Sequence, residues 1–431
     1  MVFYNSMHKN SFFNNHKIRF KNNNLRFSGF TDEWNEVKLG DISKSITKGT
    51  TPKKYSDTGI NFVKVESIEN NKIYKIDAFI DENTHKNELS RSILKTNDLL
   101  FSIAGSLGRT TIVTENILPA NTNQALSIIR FYDNCNCNLN FIQSRLNTYD
   151  IAKYIFQNLA VGAQPNLNLQ QVGNIKIRIP SFNEQNKIQG FLECVDIKIE
   201  LLKKKYQQYQ EFKKYLMQQI FTQKLRFDNS SKIQKEIQLS DVISIINKRN
   251  KNDENIPVLS ISNKFGFISQ TEQFEDREVA SSDKKNYKIV NKGEFAYNPA
   301  RINVGSIAQL KNYEKGIISP MYIVFKVDSN VLNQTYFENF LDSDYFRYEM
   351  MKRLEGSVRM ILSADSLKNI KITIPSIDEQ EKLSKVFLAF DKKIKITKYQ
   401  LDKTQEFKKG LLQQMFVVQL ILSLLQNKKH I

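Results

Sequence analysis

The residues that could take part in catalysis do not form a complete catalytic motif in this sequence. A phosphate-binding loop ends in Gly-Lys-Ser/Thr, but the stretch Gly105–Thr110 is too short and has Arg109 in place of the lysine. Asn298-Pro299 begins like the Asn-Pro-Pro-aromatic motif of adenine methyltransferases, but an alanine and Arg301 follow it, without a glycine-rich cofactor loop. HExxH, GxSxG and a convincing nuclease cluster of carboxylates and lysine are also absent. We therefore expect no catalytic residues in this chain.

Cysteine and histidine usage argues against a metal site. The chain has three cysteines and four histidines, and Cys135, Cys137 and Cys194 form no CxxC pair. We therefore expect neither a zinc site nor a disulfide framework, and a reducing cytoplasm fits. The apolar stretch from Phe416 to Leu425 is about ten residues, whereas a helix that crosses a bilayer needs about 20. The start of the chain also lacks the apolar core of a signal peptide. We expect a cytoplasmic protein that does not enter a membrane.

The charge balance indicates a polyanionic partner. Lys and Arg number 63 against 45 Asp and Glu, which gives a formal net charge of +18 and an isoelectric point near 9.5. A surplus of this size is typical of proteins that bind nucleic acid. A basic surface that interacts only with solvent is the alternative.

The sequence contains an internal repeat. Residues 174–221 match residues 369–416 at 23 of 48 positions without a gap, at an offset of 195 residues. A weaker repeat with an offset of 200 relates Leu25-Arg26-Phe27 to Leu225-Arg226-Phe227. The chain therefore consists of two copies of one unit, in which a variable globular half precedes a well-matched helical half.

The well-matched halves are predicted to be long helices. Ser181 and Ser376 precede Glu184 and Glu379 by three residues, which is the pattern of an N-cap with a capping box. Apolar residues then follow a heptad pattern, and Lys213 and its repeat equivalent Lys408 fall on the same stripe. About forty residues at 1.5 Å each give a helix of roughly 60 Å.

Neither helix can bury its apolar stripe alone, so we expect the two helices to pair antiparallel. Packing of each helix on its own domain or on another protein is the alternative. The residues expected to form the pairing surface are Ile188, Leu192, Val195, Ile199, Leu202, Tyr206, Leu216 and Ile220 in the first helix and Leu383, Phe387, Phe390, Ile394, Leu401, Leu411 and Met415 in the second.

The variable halves have the pattern of mixed α/β (α+β) domains. Short β-rich runs such as Asn61–Val65 and Ala125–Phe131 alternate with Gly, Asn and Pro turns, and residues 141–159 and 336–354 look helical. The predicted fold is two globular domains separated by two long antiparallel paired helices, with a pseudo-two-fold internal repeat. The predicted segments are a basic leader expected to be flexible (1–27), a first domain (28–180), a first long helix (181–227), a second domain (228–375), a second long helix (376–416) and an unmatched apolar tail (417–431).

Nucleic-acid contacts are expected in polar and basic loops of the two domains. Arg, Lys, Asn and Gln can pair with base edges, while Lys, Arg, Ser and Thr can bind phosphates. A purely solvated surface role is the alternative for each residue taken singly. The candidates are Lys48, Thr50, Thr51, Lys53, Lys54, Tyr55, Arg109, Gln164 and Asn166 in the first domain and Lys248, Arg249, Lys251, Arg301, Asn303, Ser357 and Arg359 in the second.

Together these features resemble the specificity subunits of type I restriction–modification systems. The resemblance covers about residues 25–416. It is carried by the duplicated helical segments, which begin Ile-Pro-Ser and end in Gln-Gln-Ile-Phe or Gln-Gln-Met-Phe, and by the Leu-Arg-Phe that opens each half. The stretch Trp34–Ile42 is similar to the start of a first target-recognition domain. Ala296–Ile307 is similar to a stretch common in such domains, and Ala104–Arg109 is its weaker counterpart.

The resemblance implies a non-catalytic subunit that binds double-stranded DNA. Each target-recognition domain would read one half of a split DNA sequence, and the paired helices would set the unread spacer. Two methyltransferase (M) subunits would dock on the helices, and restriction (R) subunits would join for cleavage. S-adenosylmethionine, ATP and Mg²⁺ would then bind to those partners, which carry adenine-N6 methyltransferase and ATP-dependent endonuclease activity. A coiled-coil scaffold and a fragment of a fused restriction–methylation enzyme are the alternatives.

Overall fold

Short β-strands separated by turns make up most of each variable half, as the alternating apolar pattern predicts. The computed structural model describes residues 18–21, 24–159, 165–226, 235–269, 284–356 and 360–416. The chain divides into unit 1, Met1–Leu201 with Leu401–Ile431, and unit 2, Leu202–Gln400. Each unit therefore contains one globular half and a part of both long helices.

Within its described residues, unit 1 contains thirteen strands and three short α-helices, and the first long helix begins in it. The strands are β1 (Ile18–Lys21), β2 (Asn24–Phe27), β3 (Asn35–Lys38), β4 (Ser43–Lys48), β5 (Ile60–Val63), β6 (Ile68–Glu69), β7 (Lys72–Ile73), β8 (Phe79–Ile80), β9 (Leu99–Ser102), β10 (Thr110–Ile112), β11 (Ala120–Thr122), β12 (Leu126–Phe131) and β13 (Lys176–Ile179). The helices are α1 (Leu139–Leu146), α2 (Tyr149–Gln157), α3 (Leu169–Gly173) and the long helix α4 (Phe182–Phe221).

Two sheets form the core of unit 1. One is antiparallel with the strand order β10-β9-β12-β4, and the other has the order β11-β5-β8 with β11 parallel to β5. Their apolar residues, including Val63, Leu100, Leu126 and Ile128, pack into one buried cluster. Strands β3 and β13 pair antiparallel just before α4 begins. This pairing joins the start of the domain to the start of the long helix.

Unit 2 repeats this arrangement. Its strands are β14 (Lys235–Gln238), β15 (Ile243–Ile246), β16 (Val258–Ser262), β17 (Gly266–Ser269), β18 (Lys288–Asn291), β19 (Phe295–Tyr297), β20 (Ile307–Gln309), β21 (Lys315–Ile318), β22 (Ile323–Val327) and β23 (Lys371–Ile374). Its helices are α5 (Gln334–Leu341), α6 (Asp344–Met351), α7 (Ala364–Lys368) and the long helix α8 (Ile377–Phe416). The sheet β15-β22-β19-β20 corresponds to β4-β12-β9-β10, and β16 is parallel to β21 as β5 is to β11. The predicted mixed α/β fold with an internal repeat is therefore confirmed.

The two long helices run antiparallel where they meet within each unit. In unit 1 the ammonium of Lys408 binds the carboxylate of Asp196 at 2.5 Å. In unit 2 the ammonium of Lys213 binds the carboxylate of Asp391 at 2.6 Å. Asp196 and Asp391 are repeat equivalents, as are the two lysines, so each unit contains the same ion pair between its segments of α4 and α8. These lysines interrupt the apolar stripe because they form ion pairs across the helix pair.

The repeated Glu-Gln pair at the start of each long helix joins the helix to its globular half. The buried Gln185 side chain accepts from the Asn138 backbone nitrogen at 2.9 Å and donates to the Pro180 carbonyl at 2.9 Å. Gln380 makes the same bonds with Asn333 and Pro375 in unit 2. The amide satisfies backbone groups that would otherwise be buried without a partner.

Several local expectations differ from the structure. Glu184 was expected to form a capping box, but both its carboxylate oxygens accept hydrogen bonds from Arg26, each at 2.7 Å. The end of the leader, expected to be flexible, pairs as β1 and β2, and Phe27 packs against Phe191 with ring centroids 5.7 Å apart. The cause is that the leader ends in apolar residues with a place in the core of unit 1.

The remaining differences concern cysteines and short helices. Cys135 and Cys137 are joined by a disulfide in the loop between β12 and α1, whereas the sequence led us to expect unpaired cysteines. The stretches expected to be helical, 141–159 and 336–354, each contain two short helices. In unit 2 the break is set by Ser343, whose hydroxyl accepts from the Phe346 backbone nitrogen and caps α6. Among the described residues no helix is long and apolar enough to cross a membrane.

Candidate nucleic-acid interface

Six of the predicted contacts lie at the end of β4 or in the exposed loop that follows it in unit 1. Lys48 is the last residue of β4, and the loop carries Thr50, Thr51, Lys53, Lys54 and Tyr55. Gly49 determines how this loop leaves the sheet. Its backbone nitrogen donates to the Leu126 carbonyl at 3.1 Å, and a Cβ at this position would lie 2.1 Å from the Thr122 carbonyl oxygen. Only glycine permits this close approach of two backbone segments. The loop is therefore fixed at its base while its basic side chains remain in solvent.

The turn between β11 and β12 holds the tip of the same loop. The Thr50 backbone nitrogen donates to the Thr122 carbonyl at 3.0 Å. The Thr51 hydroxyl donates to the side-chain oxygen of Gln124. Gln124 was not among the residues predicted from the sequence, because nothing in the local pattern marks a turn residue as a neighbour of a loop some seventy residues earlier.

Tyr55 combines an aromatic surface with a positive charge beside it. Its side chain is 41% exposed, its ring packs edge-on against Phe62, and the Lys64 ammonium lies 4.8 Å from the ring centroid. Partial burial raises the pKa of the Tyr55 hydroxyl, so this group remains a hydrogen-bond donor at neutral pH. Lys64 was missed because it sits in a β-rich run that the sequence marks only as a strand.

The loop between β9 and β10 lies on the other side of the β11–β12 turn. The Ile103 backbone nitrogen donates to the Ala125 carbonyl at 2.8 Å, and Ala104 forms a β-bridge with Asn166. Asn166 is exposed. The predicted contact Gln164 lies outside the described residues. Three loops that are distant in sequence thus meet at one edge of the four-stranded sheet of unit 1.

Arg109, at the end of this loop, is engaged within unit 1. Its Nη1 atom donates to the backbone carbonyls of Val65 at 3.2 Å and Ile68 at 3.0 Å. The preceding Gly108 has a φ of 77°, and the corresponding Gly305 has a φ of 92°, so Arg109 matches Ser306 rather than Arg301. The two stretches Ala104–Arg109 and Ala296–Ile307 therefore correspond with their arginines at different positions. Arg109 thus binds backbone carbonyls within unit 1, and its contact with DNA stays a prediction.

In unit 2 the loop after β15 carries the exposed residues Lys248, Arg249 and Lys251. The Lys248 carbonyl accepts from the Ile289 backbone nitrogen at 2.8 Å, and Arg249 donates to the Asn286 side chain at 3.0 Å. These bonds attach the loop to β18 and to the segment before it. The basic side chains are therefore presented by a loop with fixed ends.

Lys288 extends this basic cluster. Its ammonium donates to the Tyr322 carbonyl at 2.7 Å, in the turn between β21 and β22. Burial lowers the pKa of Lys288, and the positive charge of Arg249 lowers it further. A phosphate placed beside these two cations would offset their repulsion. Lys288 was missed because a lysine inside a strand gives no sequence signal of a functional role.

The loop between β19 and β20, residues 298–306, carries Arg301 and Asn303. Both are exposed, and the Arg301 guanidinium has no hydrogen-bond or ion-pair partner within the described part of the chain. The Arg301 carbonyl accepts from the backbone nitrogens of Val304 and Ser306, which closes the loop on itself. The Asn298 side chain lies 3.6 Å from the Met321 sulfur in the β21–β22 turn. The predicted contacts Ser357 and Arg359 lie outside the described residues.

The residues expected to pair the long helices are buried or half-buried. Phe390 packs against Tyr209 and Phe212 with ring centroids 6.4 and 5.2 Å apart, within unit 2. Ile220, Leu383 and Phe387 belong to the core cluster of unit 2 as well. In unit 2, Phe390 therefore joins α8 to α4, while Ile220, Leu383 and Phe387 pack on the globular part, and a pairing role for the other residues stays a prediction.

The protein is duplicated: it has two similar α/β halves, and each half is followed by a long helix. Each half also carries basic loops at one edge of a sheet, which suits the binding of a polyanion. Residues 31–211 and 233–405 each match the family model described as type I restriction modification DNA specificity domain. The chain belongs to this family. It is a DNA-specificity subunit of a type I restriction–modification system with two target-recognition domains.

Relatives and solved structures agree with this family. The chain is 23% identical over 411 residues to the putative type I restriction enzyme MjaX specificity subunit of Methanocaldococcus jannaschii, covering 88% of this chain and 92% of that protein. It is also 23% identical over 415 residues to the MjaVIII specificity subunit of the same organism, covering 88% and 91%. The S subunit from M. genitalium superposes with a TM-score of 0.54 at 15% identity, covering 90% of this chain and 97% of that one. A chain from a structure of type I R-M complex assembly gives a TM-score of 0.57 at 14% identity, covering 90% and 98%.

Proposed function

We propose that this chain reads a bipartite double-stranded DNA target, with one half-site for each globular unit. The observation that carries the proposal is that both units place basic loops at the same edge of equivalent sheets, with different side chains in the two copies. Because the two sheets are equivalent, the two units should bind DNA in the same orientation. Because the loop side chains differ, the two units should prefer different bases. The two half-sites should therefore differ in sequence.

The chain supplies recognition, and the chemistry belongs to its partners. M subunits would methylate adenine with S-adenosylmethionine, and R subunits would cleave DNA with ATP and Mg²⁺. The long helices α4 and α8 are the surfaces on which two M subunits would dock, because α4 connects the two globular halves in sequence and α8 is its repeat equivalent. The cytoplasm, where the chromosome is accessible, is the expected compartment.

Methylation mapping tests this proposal directly. The chain is co-expressed with the M subunit of its own system in a host without adenine methylation, and N6-methyladenine is then located across the genome. A motif of two short specific halves around a fixed unread gap is expected. A contiguous motif would contradict the proposal, and methylation that depends on the M subunit alone would show that this chain does not supply specificity.

Arg301→Ala is the matched test of one unit. Arg301 is exposed in the β19–β20 loop of unit 2, and losing a bidentate base contact costs about 1–3 kcal/mol. Specificity should relax at one half-site and stay unchanged at the other. Lys48→Ala, in unit 1, serves as the reciprocal variant. If either variant relaxes both half-sites equally, the assignment of one half-site to each unit is wrong.

A further inference from the structure

The loop edge of unit 2 exposes large apolar side chains. Phe265 is 66% exposed, Val304 is 53% exposed and Met321 is 63% exposed. They come from three separate segments, which are the β16–β17 turn, the β19–β20 loop and the β21–β22 turn. We call these three residues the apolar rim. Exposure of large apolar side chains to water is energetically unfavourable. An apolar rim beside the basic loops therefore indicates a binding partner with an apolar group.

The described contacts bring the apolar rim together around the loop that carries Arg301. Phe265 and Val304 line the same cavity of about 620 Å³. A Cβ at Gly305 would lie 3.8 Å from the Cβ of Asn263, so the β16–β17 turn touches the β19–β20 loop. On the other side of the loop, Asn298 contacts Met321. The β19–β20 loop therefore contacts both turns, with Phe265 and Val304 at the cavity and Met321 beside Asn298.

Positive charges lie beside the apolar rim, although the cavity itself is lined by the carboxylates of Glu338 and Asp342 as well as by Lys311 and Arg347. The Lys264 ammonium lies 5.3 Å from the Phe265 ring centroid. Arg301 is exposed within the same loop as Val304. Lys288 donates to the Tyr322 carbonyl in the Met321 turn, and Arg249 forms a β-bridge with Lys288. A partner for this edge must combine negative charge with an apolar group, and duplex DNA has both.

On the groove edges of paired bases, the thymine C5-methyl is the apolar group, and it lies in the major groove. We propose that unit 2 recognises at least one A·T pair by packing a thymine methyl against Phe265 and Val304. This inference rests on the proposed function, because it assumes that unit 2 reads DNA. Met321 borders the same surface, and Arg301 lies where it can bind a neighbouring base edge or phosphate.

Unit 1 does not offer the same surface. The turn that corresponds to the Met321 turn carries Asn123 and Gln124, and Gln124 bonds to Thr51. Leu107, which corresponds to Val304, is only partly exposed. The loop after β4 carries lysines and Tyr55 instead. Sensitivity to thymine methyl groups should therefore be confined to the half-site that unit 2 reads.

Replacing thymine with uracil removes the methyl and leaves base pairing intact, so it tests the proposal on the full chain in complex with its M subunit. Duplexes that contain the mapped motif are made with uracil in one half-site or the other, and affinity is measured by fluorescence anisotropy. Uracil in one half-site should weaken binding about fourfold for each buried methyl. Uracil in the other half-site should have no effect.

Variants then assign the effect to the apolar rim. In Phe265→Ala with Val304→Ala, thymine and uracil duplexes should bind equally well. Val331→Ala is the control, because Val331 is also an exposed apolar residue of unit 2 but its carbonyl binds Gln380 at the start of α8. This control should keep the fourfold preference for thymine.

Several outcomes would overturn the inference while leaving the proposed function in place. One is a split motif in which neither half-site distinguishes thymine from uracil. Another is a preference for thymine over uracil that persists in the double variant. The third is a unit 2 half-site without any A·T pair. DNA bending that the double variant abolishes and uracil leaves unchanged would instead assign the apolar rim to wedging between bases. A contiguous methylation motif would contradict the proposed function itself.

Discussion

Removal of the Arg26 guanidinium should strongly destabilise unit 1. Arg26 donates two hydrogen bonds to Glu184, and the side chains of Arg26 and Glu184 are 14% and 1% exposed. Hydrogen bonding to Glu184 raises the pKa of Arg26 further above its ordinary value, so the guanidinium stays charged at neutral pH. Arg26→Met keeps much of the aliphatic chain but leaves the Glu184 carboxylate buried without its partner.

The expected loss follows from that burial. Removing one partner of a buried ion pair costs about 3–5 kcal/mol, because the remaining charge stays out of water. With a urea dependence of about 2 kcal/mol per molar, the midpoint of unfolding should fall by roughly 1.5–2.5 M. Lys72→Met is the matched control, since Lys72 and Glu200 form a pair that is 74% and 66% exposed. Exposed pairs contribute about 0–1 kcal/mol, so its midpoint should move by at most roughly 0.5 M.

Trp34 makes the measurement specific to unit 1. It is the single tryptophan of the chain, and it packs against Phe141 and Phe416 with ring centroids 6.0 and 6.1 Å apart. Its fluorescence during urea unfolding therefore reports on unit 1 and on the end of α8 that docks there. Arg26→Met with Glu184→Leu should recover most of the lost stability, because no unpaired charge remains. Equal midpoints for Arg26→Met and Lys72→Met would refute the reasoning.

Three further perturbations follow from local geometry. Gly49→Ala should destabilise the β4–β5 loop by about 1–3 kcal/mol and weaken DNA binding. Gly190→Ala in α4, where a Cβ meets nothing within 4 Å, should instead stabilise the protein by about 0.5–1 kcal/mol. Equal midpoints of urea unfolding for the two variants would contradict this prediction. Gln380→Ala should cost unit 2 about 1–3 kcal/mol, because it leaves buried backbone groups without partners, and unchanged hydrogen exchange at the start of α8 would argue against that role. Desolvation in the cavity that it lines and the nearby Asp391 carboxylate raise the pKa of Asp342, although the residue stays exposed to solvent, so Asp342→Asn should raise the unfolding temperature at pH 7.5 only slightly. That gain should disappear as the pH falls below about 4, where aspartate is protonated in the unfolded chain too, and a gain independent of pH would refute the electrostatic explanation.

Several features of the fold could be predicted from the sequence because they depend on local patterns. The heptad pattern and the Ser181 and Ser376 helix starts predict α4 and α8, since helix periodicity and end signals act over a few residues. The gap-free match between 174–221 and 369–416 predicts two equivalent units. The strand order inside each unit could not be predicted in this way, because parallel pairs such as β5 and β11 join segments separated by some sixty residues.

At the candidate nucleic-acid interface too, some side chains could be predicted from local sequence and others could not. The basic loops after β4 and β15 were found from composition, and the structure attaches both to turns that the sequence did not connect with them. Arg26 was recognised only as part of a repeated tripeptide, and the structure shows it bound to Glu184, which had been interpreted as a capping residue. A charged residue has the same local signal whether it caps a helix, pairs across the core or faces solvent.

By itself, the sequence determined that the chain is duplicated, basic and built from α/β halves with long helices, because composition and periodicity depend only on which residues occur and how they are spaced. Only the tertiary structure decided which lysines pair across the helices, which arginine is held by backbone carbonyls and which apolar side chains remain exposed beside Arg301. These properties depend on contacts between residues that are far apart in the chain. Burial and partner geometry, which decide whether a charge or a methyl group is available to DNA, exist only once those contacts have formed.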